Sequence, residues 1–286
     1  MTNIAITAAS GQLGSAIIYA LKELVSPQQL VGLSRNTAHA SHLGIDIRPG
    51  DYNDGATLQH SLQNINTLVL ISSNDEPQRR VTQHRNVINA AKKAGVTKLI
   101  YTSIQGNPEG NDFAPVVASN RQTEMDIKSS GLEWSIGRNG LYIEPDIEYI
   151  DHYRREGIIR NCAGNGKCGY TTRNELAWAY AKMATGQQHN GQTYNLNGAP
   201  ITQSELCQYL NHAFSTTLKY ENMSVDAFKI ERINELGQFI GTVIAGIYQS
   251  IEQGYFNNPS DYSIAAEREH LSWTHFFEQL RQQQLQ

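Results

Sequence analysis

The sequence predicts an α/β fold, a parallel sheet with helices on both faces, and three observations predict it. Short apolar, β-branched runs alternate with stretches of helical spacing over residues 4–138. The run Thr67–Ile71 is apolar almost throughout, as in a strand buried on both faces. Between the first strand and the first helix stands S-G-Q-L-G at 10–14, whose glycines let the main chain turn tightly and approach a ligand.

Ile4 and Ile6 make the first strand, and Leu13, Ile17, Ala20, Leu21 and Leu24 give the first helix its apolar face. Unpaired N–H groups at the start of that helix suit an anion, so a dinucleotide pyrophosphate is the first expectation. The second strand, 30–33, ends in Ser34 and Arg35. Folds that prefer NAD carry Asp or Glu there, about 20 residues past the glycines, to hold ribose hydroxyls. An arginine instead pairs with a 2′-phosphate, which a carboxylate would repel. The expected cofactor is therefore NADPH.

A third strand, 45–51, is broken by Pro49 and Gly50 and ends in Asp51 and Tyr52, placed to meet adenine. After a short polar helix, Thr67–Ile71 stops at Ser72, Ser73 and Asn74, and ligands of open α/β sheets lie at such strand ends. Helical spacing then runs from Val81, with His84 on the packed face, to a stop at Gly95. Lys98–Ile104 is the fifth strand, and a Gly-, Asn- and Pro-rich loop over 105–115 is expected to cover substrate. A helix over 119–129 leads to a sixth strand, 133–138, followed by Asn139, Gly140, Leu141 and Tyr142.

Thr172 with Glu175 and Thr202 with Glu205 have capping-box spacing and mark helix starts, with one more strand at 193–196 between them. From residue 204 the chain reads as helical and rich in aromatics. The division expected is a dinucleotide-binding part, 1–148, and a substrate lobe, 149–286, of which about 170–197 packs back on the first.

The chain has 286 residues and a net charge of -4, without a basic run, so nothing supports a grip on nucleic acid. Cys162, Cys168 and Cys207 form no C-x-x-C pair and read as reduced thiols, and no metal is expected. A start directly on a strand, with no leader and no apolar run near the roughly 20 residues of a membrane helix, predicts a cytoplasmic protein with small-molecule partners.

These motifs, with S-R-N at 34–36, G-D-Y at 50–52, L-I-S-S at 70–73, Y-T-S at 101–103, R-N-G-L-Y at 138–142 and T-R-N-E-L-A at 172–177, resemble the NmrA-like atypical short-chain dehydrogenases. Within that family the likeness is to bacterial NADPH-dependent quinone oxidoreductases and triphenylmethane reductase. It implies a Rossmann-like sheet, with Thr7, Ser10, Gly11, Gln12 and Leu13 at the pyrophosphate turn, Arg35 at the 2′-phosphate, and Asp51 and Tyr52 near adenine. It implies further that Ser72, Ser73, Asn74, Ser103, Asn139, Gly140 and Tyr142 follow the ribose and nicotinamide. An aromatic substrate is then expected under Tyr142, Tyr149, Phe239 and Tyr248. Ala8 departs from the family form, which has glycine there.

The Tyr-x-x-x-Lys pair of most short-chain dehydrogenases has Val116 and Asn120 in its places. A good hydride acceptor such as a quinone needs little beyond positioning, so Asn120 and Tyr142 are the expected catalytic residues, Asn120 donating a hydrogen bond to the reacting oxygen. The readings that follow are NADPH-dependent reduction of a quinone-like acceptor, and a redox sensor that binds dinucleotide without turnover and signals to a protein partner. A carbonyl or sugar-nucleotide reductase is disfavoured by the missing pair.

Overall fold

The computed structural model describes residues 2–284. Strands β1 (Ile4–Ile6), β2 (Leu30–Ser34), β3 (Asp46–Pro49), β4 (Thr67–Ile71), β5 (Lys98–Ile104) and β6 (Glu133–Asn139) join Gln192–Leu196 in one seven-stranded sheet. Its order is Gln192–Leu196, β6, β5, β4, β1, β2, β3, and every pair is parallel. The order reverses at β1, between β4 and β2, and in such sheets that reversal opens a crevice at the carboxyl ends of the strands.

Helices α1 (Gln12–Lys22), α2 (Gly55–Ser61), α3 (Pro77–Ala94) and α4 (Ala114–Lys128) are the crossovers. One face of the sheet buries Ile4, Ile6, Val69 and Ile100 with α1 and the later helix Arg173–Thr185. The other buries Ala5, Leu68, Leu70, Leu99 and Tyr101 with α2 and α3. The helix Arg173–Thr185 lies on α1, and the strand Gln192–Leu196 pairs with β6. A separate apolar cluster joins Phe113, just before α4, and Val117 of α4 to Ile143, Ile251, Phe256, Trp273 and Phe277. Among the described residues no helix is long and apolar enough to cross a membrane.

Several sequence boundaries shift for local reasons. Helices α3 and α4 begin at Pro77 and Ala114, earlier than their apolar spacing indicates, because Pro77 and Pro115 fit a first turn whose N–H groups are unpaired anyway. The supposed cover loop is shortened accordingly. Thr202 and Glu205 form the reciprocal capping box. Thr172 does cap its helix, but Glu175 reaches away to Arg268, at 2.9 Å on both oxygens. The last third also contains a strand, Lys219–Asn222, paired in parallel with Ile158–Asn161. Cys162, Cys168 and Cys207 are buried and unbridged.

The first turn is the tightest point of the fold. A Cβ on Gly14 would stand 2.3 Å from the Ala8 carbonyl oxygen, so only glycine lets α1 seat on the turn. Ala8 itself holds a left-handed φ of 48°, a conformation that costs a residue with Cβ about 1 to 2 kcal/mol. Ala8→Gly should relieve that cost and give back part of it, about 0.4 to 1 kcal/mol, in the looser unfolded chain. The expected result in a thermal melt is a Tm higher by about 1 to 3 °C, and a lower Tm would contradict the strain.

The carboxyl end of the sheet is tied to α4 by Glu124, which is 3% exposed. Arg138 of β6 grips it with two hydrogen bonds of 2.9 and 2.6 Å, Arg121 adds one of 2.8 Å, and the Ser103 hydroxyl donates another of 2.6 Å. Burial pushes the Glu124 carboxyl up, but Arg138, Arg121 and Ser103 together hold it below its ordinary value of 4.5. The pair therefore stabilises the fold fully above pH 4.5 and loses its contribution as the pH falls through the lowered native value. Glu124→Gln strands two arginines and should cost about 3 kcal/mol at pH 7. Denaturant titrations at pH 7 and pH 3.5 check this: the gap between variant and wild type should narrow at the lower pH.

Candidate active site

The crevice is a cleft of about 760 Å³ along the carboxyl ends of the strands. At one end it is lined by Ser10, Gly11, Gln12 and Leu13. Gly11 is the N-cap of α1, no side chain caps that helix, and its first turn holds no acidic residue. Its leading N–H groups are thus left for an anion, in the position where a pyrophosphate would lie. Ser34 is buried, and its hydroxyl stands 3.1 Å from that of Ser10, fixing the second strand's end against the turn. Arg35 follows on the rim, exposed and lining the cleft, with no carboxylate at ion-pair distance among the described residues.

Asp51 and Tyr52 form the next wall. Asp51 accepts from the Asn53 backbone and side chain, shaping the turn. The Tyr52 hydroxyl bonds Thr7 Oγ1 at 2.5 Å and the Ile71 carbonyl at 2.7 Å, so its ring faces the cleft while its polar end is spent inside. Thr7 is a correction to the sequence reading. It is fully buried, accepts from Tyr52 and the Ile71 N–H, and does not line the cleft; it ties β1 to β4 below the site.

Ser72, Ser73 and Asn74 leave β4 along the floor. His84 holds them: its Nε2 accepts the Ser73 N–H at 2.9 Å, which places its proton on Nδ1, toward Thr123 Oγ1 at 2.9 Å. Burial, with Arg80 nearby, lowers the His84 pKa to about 3, so it is a neutral strut. The Ser73 hydroxyl bonds Gln83, and Gln83 also reaches Asp75 and Asn53.

At the far end lie Ser103, Asn120, Asn139, Gly140 and Tyr142. Ser103 spends its hydrogen on Glu124. The Asn120 carbonyl oxygen accepts from Tyr101 at 2.7 Å and Ser72 at 3.2 Å, and its Nδ2 donates to the Val116 carbonyl at 2.8 Å, leaving one amide N–H for a ligand. The Asn139 carbonyl oxygen accepts from Tyr180, and its amide stands beside the Tyr142 hydroxyl. Gly140 is required because a Cβ there would meet the Gly169 oxygen at 2.0 Å. Tyr142 is half-buried under the Arg173 guanidinium, 5.4 Å from its ring centre, and burial pushes its hydroxyl up to about 12.

Of the aromatics expected over the substrate, only Tyr142 lines the cleft. Phe239 is 41% exposed on the outer lobe, the Tyr149 hydroxyl bonds Glu235, and Tyr248 packs against Phe228. Sequence spacing could not tell aromatics of the lobe's own packing from a substrate wall. Arg80, Gln83 and Arg173 line the cleft and were missed, since each reads as an ordinary helical polar residue.

A family model described as NAD(P)H-binding matches residues 8–158. Quinone oxidoreductase 2 of Escherichia coli is 37% identical over 227 residues, covering 77% of this chain and 78% of that protein. The structure of the Escherichia coli NADPH-dependent quinone oxidoreductase complexed with NADPH superposes with a TM-score of 0.89 at 31% identity, over 97% of this chain and 99% of that one. Triphenylmethane reductase of Citrobacter sp. complexed with NADP(H) gives 0.89 at 30% identity, over 97% and 100%. The uncapped helix start, the glycine at 14 and the long cleft at the strand ends fit a dinucleotide independently of these likenesses. The chain belongs to the NAD(P)H-binding, NmrA-like oxidoreductases and is an NAD(P)H-dependent reductase.

Proposed function

We propose that this protein uses NADPH to reduce a quinone-like or other conjugated small acceptor. The observation that carries the reading is one cleft that begins at an uncapped helix start beside a free arginine and ends at amide donors and a half-buried tyrosine. The bound cofactor supplies the hydride. Gly11, Gln12 and Leu13 hold the pyrophosphate, Arg35 the 2′-phosphate, and Asp51 and Tyr52 the adenine edge. Ser72, Ser73 and Asn74 follow the ribose, while Ser103, Asn139, Gly140 and Tyr142 orient the nicotinamide and acceptor. The relatives named for quinone and dye reduction support the acceptor class.

Arg35 sets the choice of cofactor. Losing one charge-assisted phosphate pair in Arg35→Ala should weaken NADPH by about 1.5 to 3 kcal/mol and leave NADH nearly unchanged. Dissociation constants for both dinucleotides in both proteins test it, and equal wild-type affinities for the two would sink the assignment.

Hydride transfer here runs on position, not on a titrating side chain. Neither histidine nor cysteine lines the cleft, and the Tyr142 hydroxyl, at about 12, stays protonated across the neutral range. Asn120 offers its remaining N–H to the acceptor oxygen. The rate with a quinone should stay nearly flat between about pH 6 and 8, and Tyr142→Phe should not abolish it. Asn120→Ala should lower it roughly 10- to 1000-fold; Tyr101→Phe, which removes the partner of the Asn120 oxygen but keeps the amide, serves as the control. A single-proton pH dependence that vanishes in Tyr142→Phe would make that tyrosine a general acid instead. Tight NADPH binding with no oxidation by any acceptor would move the chain to the sensors.

A further inference from the structure

Arg80 lines the cleft but has no part in the dinucleotide reading above. It is the fourth residue of α3, one turn before His84, and only 8% exposed. Its side chain lines the cleft with Ser73, Val116 and Asn120. Its Nε is enclosed without a hydrogen-bond partner, and among the described residues no carboxylate stands within ion-pair distance. Asp75, on the loop before α3, is taken by Gln83 at 3.0 Å and Arg79 at 3.5 Å. A cation withdrawn from water without an acidic partner is costly unless a ligand completes it. Arg80 lies one helical turn before His84, whose imidazole meets Thr123 one turn after Asn120 on α4, so its charge stands on the side of the cleft where Asn120 lies.

We propose that Arg80 is an anion subsite for the acceptor: its guanidinium takes the oxygen on which negative charge collects, selecting neutral or anionic quinone-like compounds over cationic dyes. This rests on the hydride-transfer reading. Hydride brings two electrons and a proton to the quinone, giving a hydroquinone monoanion while NADPH is oxidised to NADP⁺. Water then supplies the second proton. The charge appears on an acceptor oxygen, and a fixed guanidinium placed there needs no reorganisation.

The test is binding of 1,2-naphthoquinone-4-sulfonate (anionic), menadione (neutral) and crystal violet (cationic) to the NADP⁺-loaded protein, followed by calorimetry. Wild type should bind them in that order of affinity. Arg80→Met should weaken the sulfonate roughly 10- to 150-fold and NADP⁺ less than about threefold, and Arg80→Lys should recover part of the loss. An unchanged sulfonate affinity in Arg80→Met, or an equal loss for NADP⁺, overturns the subsite. If Arg80→Met does not fold, the wild-type order decides: crystal violet binding as tightly as the sulfonate overturns it. Sulfonate binding that depends on Arg80, with no oxidation of NADPH by menadione, upholds the subsite and overturns hydride transfer to quinones.

Discussion

The structure depends on how closely α1 is seated on the turn after β1. Gly14 lies where any side chain would strike the Ala8 carbonyl, and that contact fixes the angle of the helix against the sheet. Because the helix is pressed inward there, its uncapped first turn opens on the crevice at the point where strand order reverses. The anion site is therefore a consequence of backbone packing. Ala8 keeps the left-handed turn despite its methyl group, so the geometry is imposed by its surroundings and not by the residue that occupies it.

Beneath the cleft the polar groups are tied to one another so that few are free to move. Tyr52 and Thr7 link β1 to β4, His84 holds the Ser73 backbone, and Tyr101, Asn120 and Ser72 join β5, α4 and the β4 loop. Each bond is neutral, and each spends a group that could otherwise compete with a ligand. Buried networks of this kind hold a site rigid when every member is satisfied. Glu124 plays the charged counterpart at the edge, where two arginines and a serine hydroxyl share one carboxylate.

How much of this was legible in the sequence follows from which physics sets each feature. The strands and their order in the chain could be read because a sheet covered on both faces forces continuous apolar runs such as Thr67–Ile71. Many cleft-lining residues were legible because they sit at or immediately after strand ends, where topology alone places them; Arg35 after β2 and Gly140 to Tyr142 after β6 are cases. Thr7 was misplaced because strand periodicity does not say where a hydroxyl finds its partner, and Tyr52 arrives from 45 residues away. Arg80 was invisible for a related reason: helical spacing gives it a face, but only the packing of α3 on α4 turns that face toward the site.

On the hydride-transfer reading proposed above, the same arrangement accounts for the absence of a demand for an ionising acid. A carbonyl acceptor builds charge on an oxygen that must be protonated as hydride arrives, and the Tyr-x-x-x-Lys pair exists to meet that need. A quinone delocalises the charge and is driven by the gain in aromaticity, so holding its oxygen among fixed dipoles suffices. Here Val116 occupies the tyrosine position and Asn120 the lysine position, and the surrounding hydroxyls of Ser72, Ser103 and Tyr101 are spent on acceptors of the protein itself. What remains toward the cleft are N–H donors, a guanidinium and the Tyr142 hydroxyl, which burial pushes up to about 12, groups that hold a negative oxygen by hydrogen bonds and charge. On the proposed reading such a site favours acceptors that are easily reduced and leaves protonation to water.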